Sequence, residues 1–347
     1  MAPQPVYREG PLIAFDPAMG RRFLITIDTE EDFDWSAPFS RTAHSLASTS
    51  ALAEGQAYFH RAGVKPLYLV DYPVAFDTTA RDVLGRAAAD GEAEIGLQLH
   101  PWVTPPFDEA VNAHNSYTGN LPPDLERAKL CVLYDALVEG FSVQPCSYRA
   151  GRYGLGSETM AMLADLGVTC DTSVRAHYDY RAVGGPDYST APLRPFWTGP
   201  DSRIAELPLT SPYVGLLGRF GGPLFHSVSD RSRVRSLLSR ARLVERVPLT
   251  PEGTTAAEAV AAIAECAALD LPVLVLSFHS PSLAPGNTPY VRDAADLATF
   301  YGWWDAVLRA LRDHGYAAAS LDQILSAITS HSESSPLAKR AGAPLSP

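Results

Sequence analysis

The chain predicts an α/β fold, a distorted (β/α) barrel of about seven or eight strands. Three observations carry this expectation. Short apolar, β-branched runs alternate with helical segments along most of the chain, the pattern of a parallel sheet covered by helices. Ionisable residues stand at the C-terminal ends of several of those runs, where a barrel carries its active site. No GxGxxG follows the first run, so the rival, a doubly wound dinucleotide-binding sheet, lacks its phosphate turn.

The first strand is RFLITID (22–28), short and β-branched. Residues 44–62 follow, with Leu46, Leu52, Ala53 and Phe59 able to share one helical face. KPLYLVD (65–71) is the second strand, an Ala-rich helix over 77–90 stops at Gly91, and AEIGLQL (93–99) is the third strand. After a Pro-rich loop, Pro122 and Pro123 open a helix that runs to Gly140. QPCSYR (144–149) is the fourth strand, Ser157 opens a helix over 156–165, and LGVTCD (166–171) is the fifth. The stretch 175–230 is rich in Gly, Pro and aromatics, with one strand, RIAELPL (203–209). Helices are expected over 230–245 and 254–269, ahead of LPVLVLSFH (271–279), the clearest buried strand. A long amphipathic helix over 293–315 ends at Gly315, and its stripe Phe300, Tyr301, Trp303, Trp304 reads as core. YAAASL (316–321) is a last strand and 322–330 a last helix. Residues 1–330 are expected to form one domain, and the tail 331–347, with little to bury, to be disordered.

With 347 residues, 46% of them hydrophobic and 19% charged, the composition is that of a globular protein. A formal net charge of −11 disfavours nucleic acid or an anionic membrane as partner, because both need a basic footprint. No apolar run is long enough for a membrane span, and no basic start leads into an apolar segment, so a cytoplasmic location is expected. The four cysteines form no CxxC pair and read as reduced thiols.

The predicted strand ends then supply the chemistry. Asp28 closes the first strand, with Glu30 just beyond; His100 follows the third; Arg149 ends the fourth, Asp171 the fifth and His279 the seventh. On one barrel rim these groups suit metal-assisted hydrolysis. Carboxylate and imidazole hold a divalent ion with a position open for water. A second carboxylate takes a proton, a histidine gives one back, and an arginine fixes the base by a bidentate ion pair. A two-carboxylate glycosidase is the weaker alternative, since it leaves two rim histidines unexplained.

TIDTEEDFDW, EIGLQLHPW, NSYTGNLPP, SYRAGRYG and LSFHSPSLAPGNTPYV resemble, in this order, the motifs of the polysaccharide deacetylase (NodB-homology) family, and most of all its WalW-like branch. The resemblance runs from about residue 22 to 325. It implies a distorted (β/α) barrel and a metal-dependent hydrolase that removes acetyl groups from N-acetylated sugars. It also implies one divalent metal ion, expected to be zinc. Asp28 falls at the general base, Arg149 at the arginine that orients it, His279 at the general acid, and Asp171 at an acid that pairs with a rim cation. Thr29 replaces the usual metal-binding acid, which makes Glu30 the ligand candidate beside His100. Gln98 occupies a position where a histidine is usual. The third ligand is left among Asp32, His114 and the substrate. Trp102, Asn287 and Tyr290 are the candidates to line the sugar site. Glu31 and Asp34 read as solvated loop, and Arg231, Arg233, Arg235, Arg240, Arg242 and Arg246 as a solvated basic face. A catalytically silent sugar binder and an O-acetyl or amide hydrolase stay open as alternatives.

Overall fold

Residues 9–215 and 244–329 are described by the computed structural model. Among them nine strands form the main sheet: β1 (Arg22–Thr29), β2 (Leu67–Val70), β3 (Glu94–Leu99), β4 (Ser147–Ala150), β5 (Cys170–Asp171), β6 (Phe196–Thr198), β7 (Ile204–Glu206), β8 (Val273–His279) and β9 (Ala317–Ala318). Their order is β8-β1-β2-β3-β4-β5-β7-β6, with β9 pairing the start of β1. The ladders are parallel except β6 against β7. The sheet is therefore mixed, not wholly parallel as the alternation implies. β6 lies in the Gly- and Pro-rich stretch, where no periodicity marks it.

The sheet curls into an open, distorted barrel. Beyond β7 the chain reaches the free edge of β8 through isolated hydrogen bonds. Thr210 N donates to the Val275 carbonyl at 3.1 Å, and Ser277 N to the Leu249 carbonyl at 3.2 Å. Alternation along each strand decides what faces inward. Phe23, Ile25 and Ile27 of β1 join the core beneath the helices, while Leu24 joins Leu69, Val273 and Val275 in a second apolar cluster. Thr26 and Asp28 share the parity of Leu24, so the same face that is apolar at the start of β1 becomes polar at its C-terminal end.

The covering helices are α1 (Leu52–Arg61), α2 (Thr78–Ala89), α3 (Pro123–Phe141), α4 (Thr159–Asp165), α5 (Ala256–Ala268), α6 (Ala294–Asp313) and α7 (Leu321–Ser326). The helix expected over 44–62 starts only at Leu52. Ahead of it, Ala47–Ala51 form a 3-10 turn, and Asp32 accepts hydrogen bonds from Ser45 Oγ at 2.9 Å and Ser48 N at 3.0 Å. Phe300, Trp303 and Trp304 of α6 are buried, and Trp304 stacks edge-on against Phe278 at 5.5 Å and Phe59 at 5.3 Å. That packing anchors β8 one residue before His279. The helix expected over 230–245 lies outside the described residues except at its end, where Glu245–Arg246 pair with Tyr213–Val214. The tail over 331–347 lies outside them too. Among the described residues no helix is long and apolar enough to cross a membrane.

Candidate active site

A cleft of about 430 Å³ opens at the C-terminal ends of β1, β3, β4 and β8. Asp28, Glu30, Gln98, His100 and His279 line it, with aromatic walls that include Trp35, Trp102 and Tyr290.

Asp28 is buried at the end of β1. Arg149, with no exposed surface, reaches it from the inner face of β4. The Arg149 guanidinium donates from Nη1 to Asp28 Oδ1, from Nη2 to Thr26 Oγ1 at 2.9 Å and from Nε to the Thr172 carbonyl at 3.1 Å. Three anchors leave the arginine one orientation, and the carboxylate inherits it. The other Asp28 oxygen, Oδ2, lies 3.7 Å from His279 Nε2. Asp28 and His279 are register partners across β1 and β8, so strand pairing itself places them together. His279 Nδ1 meets Glu252 Oε2 at 2.6 Å. Glu252 also accepts from His279 N and from Ser282 Oγ. Burial pushes the imidazole pKa down, but Glu252, Glu30 and Asp28 outweigh it and push it up to about 10.

The second half of the site is built around His100. Gly151 allows it: a Cβ there would come within 2.5 Å of the His100 ring and of the Leu99 carbonyl. Nε2 of His100 faces Glu30 Oε2 at 3.5 Å, and Gln98 Nε2 donates to the same oxygen at 3.2 Å. Glu30 Oε1 and Gln98 Oε1 are buried without a partner. Burial chiefly, with the charges of Glu31 and Asp28, pushes the Glu30 carboxyl up to about 8 against the pull of His279 and His100.

On its other side His100 Nδ1 meets Glu31 Oε2 at 2.9 Å, and Trp102 Nε1 donates to Glu31 Oε1 at 2.7 Å. Trp102 also stacks on the His100 ring at 4.4 Å. Glu31 N in turn donates to Asp71 Oδ2 at 2.9 Å. Glu31 has no exposed surface, which corrects its reading as solvated loop. Burial pushes both carboxyls up, that of Asp71 well above the ordinary range. Ligand atoms of Glu31, Asp71 and His100 lie within 4.8 Å of one another and could hold a cation. The carboxylate oxygens there already have donors, whereas Glu30 Oε1 and Gln98 Oε1 do not. Glu30 and Gln98, which line the cleft with His100, thus offer two orphaned acceptors that a cation could take up.

The remaining candidates are placed as follows. Tyr290 and Trp102 line the cleft, but Asn287 lines a neighbouring pocket with Asp32, across Phe33 and Trp35. Asp171 does not line it. It pairs with Tyr148 in register and faces away from the barrel interior, hydrogen-bonded to Ser173 and in contact with the buried carboxyl of Glu206. Burial pushes both of those carboxyls up, Glu206 well above its ordinary range. Asp34 is exposed, and His114 lies on an exposed loop bonded to Asn120. Sequence reasoning missed Glu252 and Trp35. Trp35 packs edge-on against His279 at 4.8 Å and Tyr290 at 5.7 Å. Glu252 sits in the loop LTPEGTT, where no strand end marks it.

No family model matches the chain, and no curated protein matches it. Several solved structures share its outline. A Mycobacterium smegmatis protein assigned as a polysaccharide deacetylase is 16% identical, with 91% of this chain and 98% of that one covered at a TM-score of 0.44. The chitin deacetylase of the fungal pathogen Colletotrichum lindemuthianum is 12% identical, covering 90% of this chain and 89% of its own at 0.44. The 4-alpha-glucanotransferase of Thermococcus litoralis is 11% identical with a TM-score of 0.49, and 89% of this chain spans only 41% of it. Likeness at this level carries no functional argument, which rests instead on the residues of the cleft.

Proposed function

We propose that the chain is a metal-dependent deacetylase acting on an N-acetylated sugar of a surface polysaccharide or its cytoplasmic precursor, with residues 1–330 as its catalytic domain. One observation carries this reading. A buried carboxylate, Asp28, is gripped by Arg149 and faces His279 at 3.7 Å, beside two orphaned acceptors and an imidazole nitrogen.

Glu30, His100 and the Gln98 carbonyl would hold the cation, zinc by the nature of an imidazole and carboxylate set. Held there, a divalent ion supplies Lewis acidity toward the acetyl carbonyl and the attacking water. Asp28 Oδ2 takes the proton of that water, while Arg149 keeps Oδ1 engaged and the carboxylate aimed. His279 is protonated at neutral pH, because its pKa is pushed up to about 10. Its Nε2 can therefore give a proton to the departing amine. Glu252 fixes the Nδ1–H, so Nε2 is left facing the cleft. Glu31 holds the opposite nitrogen of His100 and leaves Nε2 for the cation, the carboxylate–histidine–metal arrangement. The aromatic walls of Trp35, Trp102 and Tyr290 suit the apolar face of a sugar ring.

Asp28→Asn keeps the shape of the site and removes the base. Acetate release should fall by about a hundredfold or more while the circular dichroism spectrum stays unchanged. Wild-type turnover by this variant would sink the assignment. One observation favours a second reading, a catalytically silent sugar binder: Gln98 supplies a neutral amide in place of an imidazole. Elemental analysis after zinc addition separates the two, since a silent binder retains no stoichiometric metal.

A further inference from the structure

The proposed chemistry occupies one side of the cleft and leaves two arginines in it without work. Arg152 and Arg175 both line the cleft. Arg152 donates from Nη1 to Ser116 Oγ and to the Ala113 carbonyl, and Arg175 from Nη1 to the Tyr180 hydroxyl at 3.4 Å. Among the described residues neither has a carboxylate partner. In a chain of net charge −11 acids are plentiful, and a half-buried cation without a counter-charge is costly. Both guanidinium groups lie over aromatic rings. Arg152 Cζ lies 4.0 Å from the Tyr117 ring centre and 5.1 Å from that of Phe39; Arg175 Cζ lies 4.0 Å from Tyr178 and 5.4 Å from Tyr153. Contact with a ring face steadies a guanidinium, and its N–H groups beyond Nη1 remain able to bind an anion. The backbone adds an independent sign. Arg152 and Tyr153 both take left-handed conformations, with φ of 54° and 62°, a strain that non-glycine residues keep where geometry at a site demands it. Tyr153 lies within electrostatic reach of both Asp28 and Arg175, and Tyr180 of both arginines. The cationic side of the cleft thus begins one side chain away from the reacting carboxylate.

We infer that Arg152 and Arg175 form an anion subsite, and that the sugar deacetylated here carries a carboxylate or phosphate on or beside its N-acetylated residue. The inference rests on the deacetylase reading for its substrate class. The subsite itself rests on the two arginines.

The test uses the full chain with zinc and three probes: neutral N-acetylglucosamine oligomers, an N-acetylated aminouronic acid and N-acetylglucosamine 1-phosphate. Calorimetric binding and acetate release are measured on each. At least one acidic probe should bind about tenfold or more tighter than the neutral one, as hydrogen bonds to a charged group allow, and added salt should shrink the gap. Which acidic probe wins identifies the anion as carboxylate or phosphate. Arg175→Gln and Arg152→Gln should each lower the acidic-to-neutral binding ratio by about tenfold. Equal binding of all three probes by the wild-type protein overturns the subsite, and needs no variant to fold. An unchanged ratio in both folded variants overturns it as well. Acidic preference with no acetate released from any probe keeps the subsite and removes the deacetylase reading; acetate release without preference does the reverse.

Discussion

Glu252 decides which proton His279 can give. Its carboxylate holds Nδ1 at 2.6 Å and supports an imidazole pKa of about 10. A general acid is lost as pH rises through its pKa, so the native site should keep activity well into alkaline solution. Glu252→Gln removes the largest raising influence and should move the alkaline limb of the kcat profile down by about one pH unit or more. An unshifted limb would mean that His279 is not the acid. Glu30 sets a second pH dependence. Its pKa of about 8 means that the metal-free carboxyl is largely protonated below that pH. A ligand must be ionised, so zinc affinity should climb between about pH 6 and 8 and level off above, as titration against a competing chelator would report. Asp28, Arg149 and His279 could be found in the sequence because each ends a strand, and strand ends are legible from short apolar runs. Glu252, Trp35, Arg152 and Arg175 could not, because loops bring them in and no periodicity marks a loop's direction. Glu31 was misread for a related reason. Its burial depends on Trp102 and Asp71 closing over it, contacts between separate strand ends that one segment cannot reveal.

Among the elements, α3 does more than cover the sheet. Its Lys129 has no exposed surface and donates to the carbonyls of Pro101, Thr104 and Pro106 at 2.9, 2.6 and 2.7 Å, with Glu109 at 3.2 Å. The helix thereby ties down the loop that leaves His100 and carries Trp102. Lys129→Met keeps the stem and removes the donor, leaving the buried carbonyls without it and Glu109 with only the more distant Arg41 at 3.8 Å. Urea denaturation should show a loss of about 3 kcal/mol, and a variant as stable as the parent would contradict the clamp. At this scale the sequence was informative about order and less so about pairing. Eight expected strands lie where the apolar runs put them, and α3 starts at its prolines. β6 escaped because an antiparallel edge strand of three residues is too short to show a period, and the late start of α1 because Asp32 holds Ser48 from sixteen residues away.

For the whole molecule, the proposed site would couple metal to fold. Glu30, Gln98 and His100 stand on β1's continuation and on β3, strands held apart by β2 in the sheet. A cation bridging them should stabilise the folded state alone, by about 2.7 kcal/mol at a hundredfold excess over its Kd. Thermal unfolding with and without zinc measures this, and Glu30→Gln should abolish the increment. A zinc-induced rise that survives in Glu30→Gln would point to the Glu31, Asp71 and His100 trio instead. The register of β1 with β8 has a consequence in time. Asp28 stands on β1 and His279 on β8, some 250 residues later, yet they are neighbours in one ladder. A nascent chain therefore carries the proposed base before β4 brings Arg149 to it, and lacks the proposed acid until β8 docks. On the proposed chemistry turnover would report completed folding: no fragment that stops short of β8, however well its earlier strands have assembled, can hold both groups.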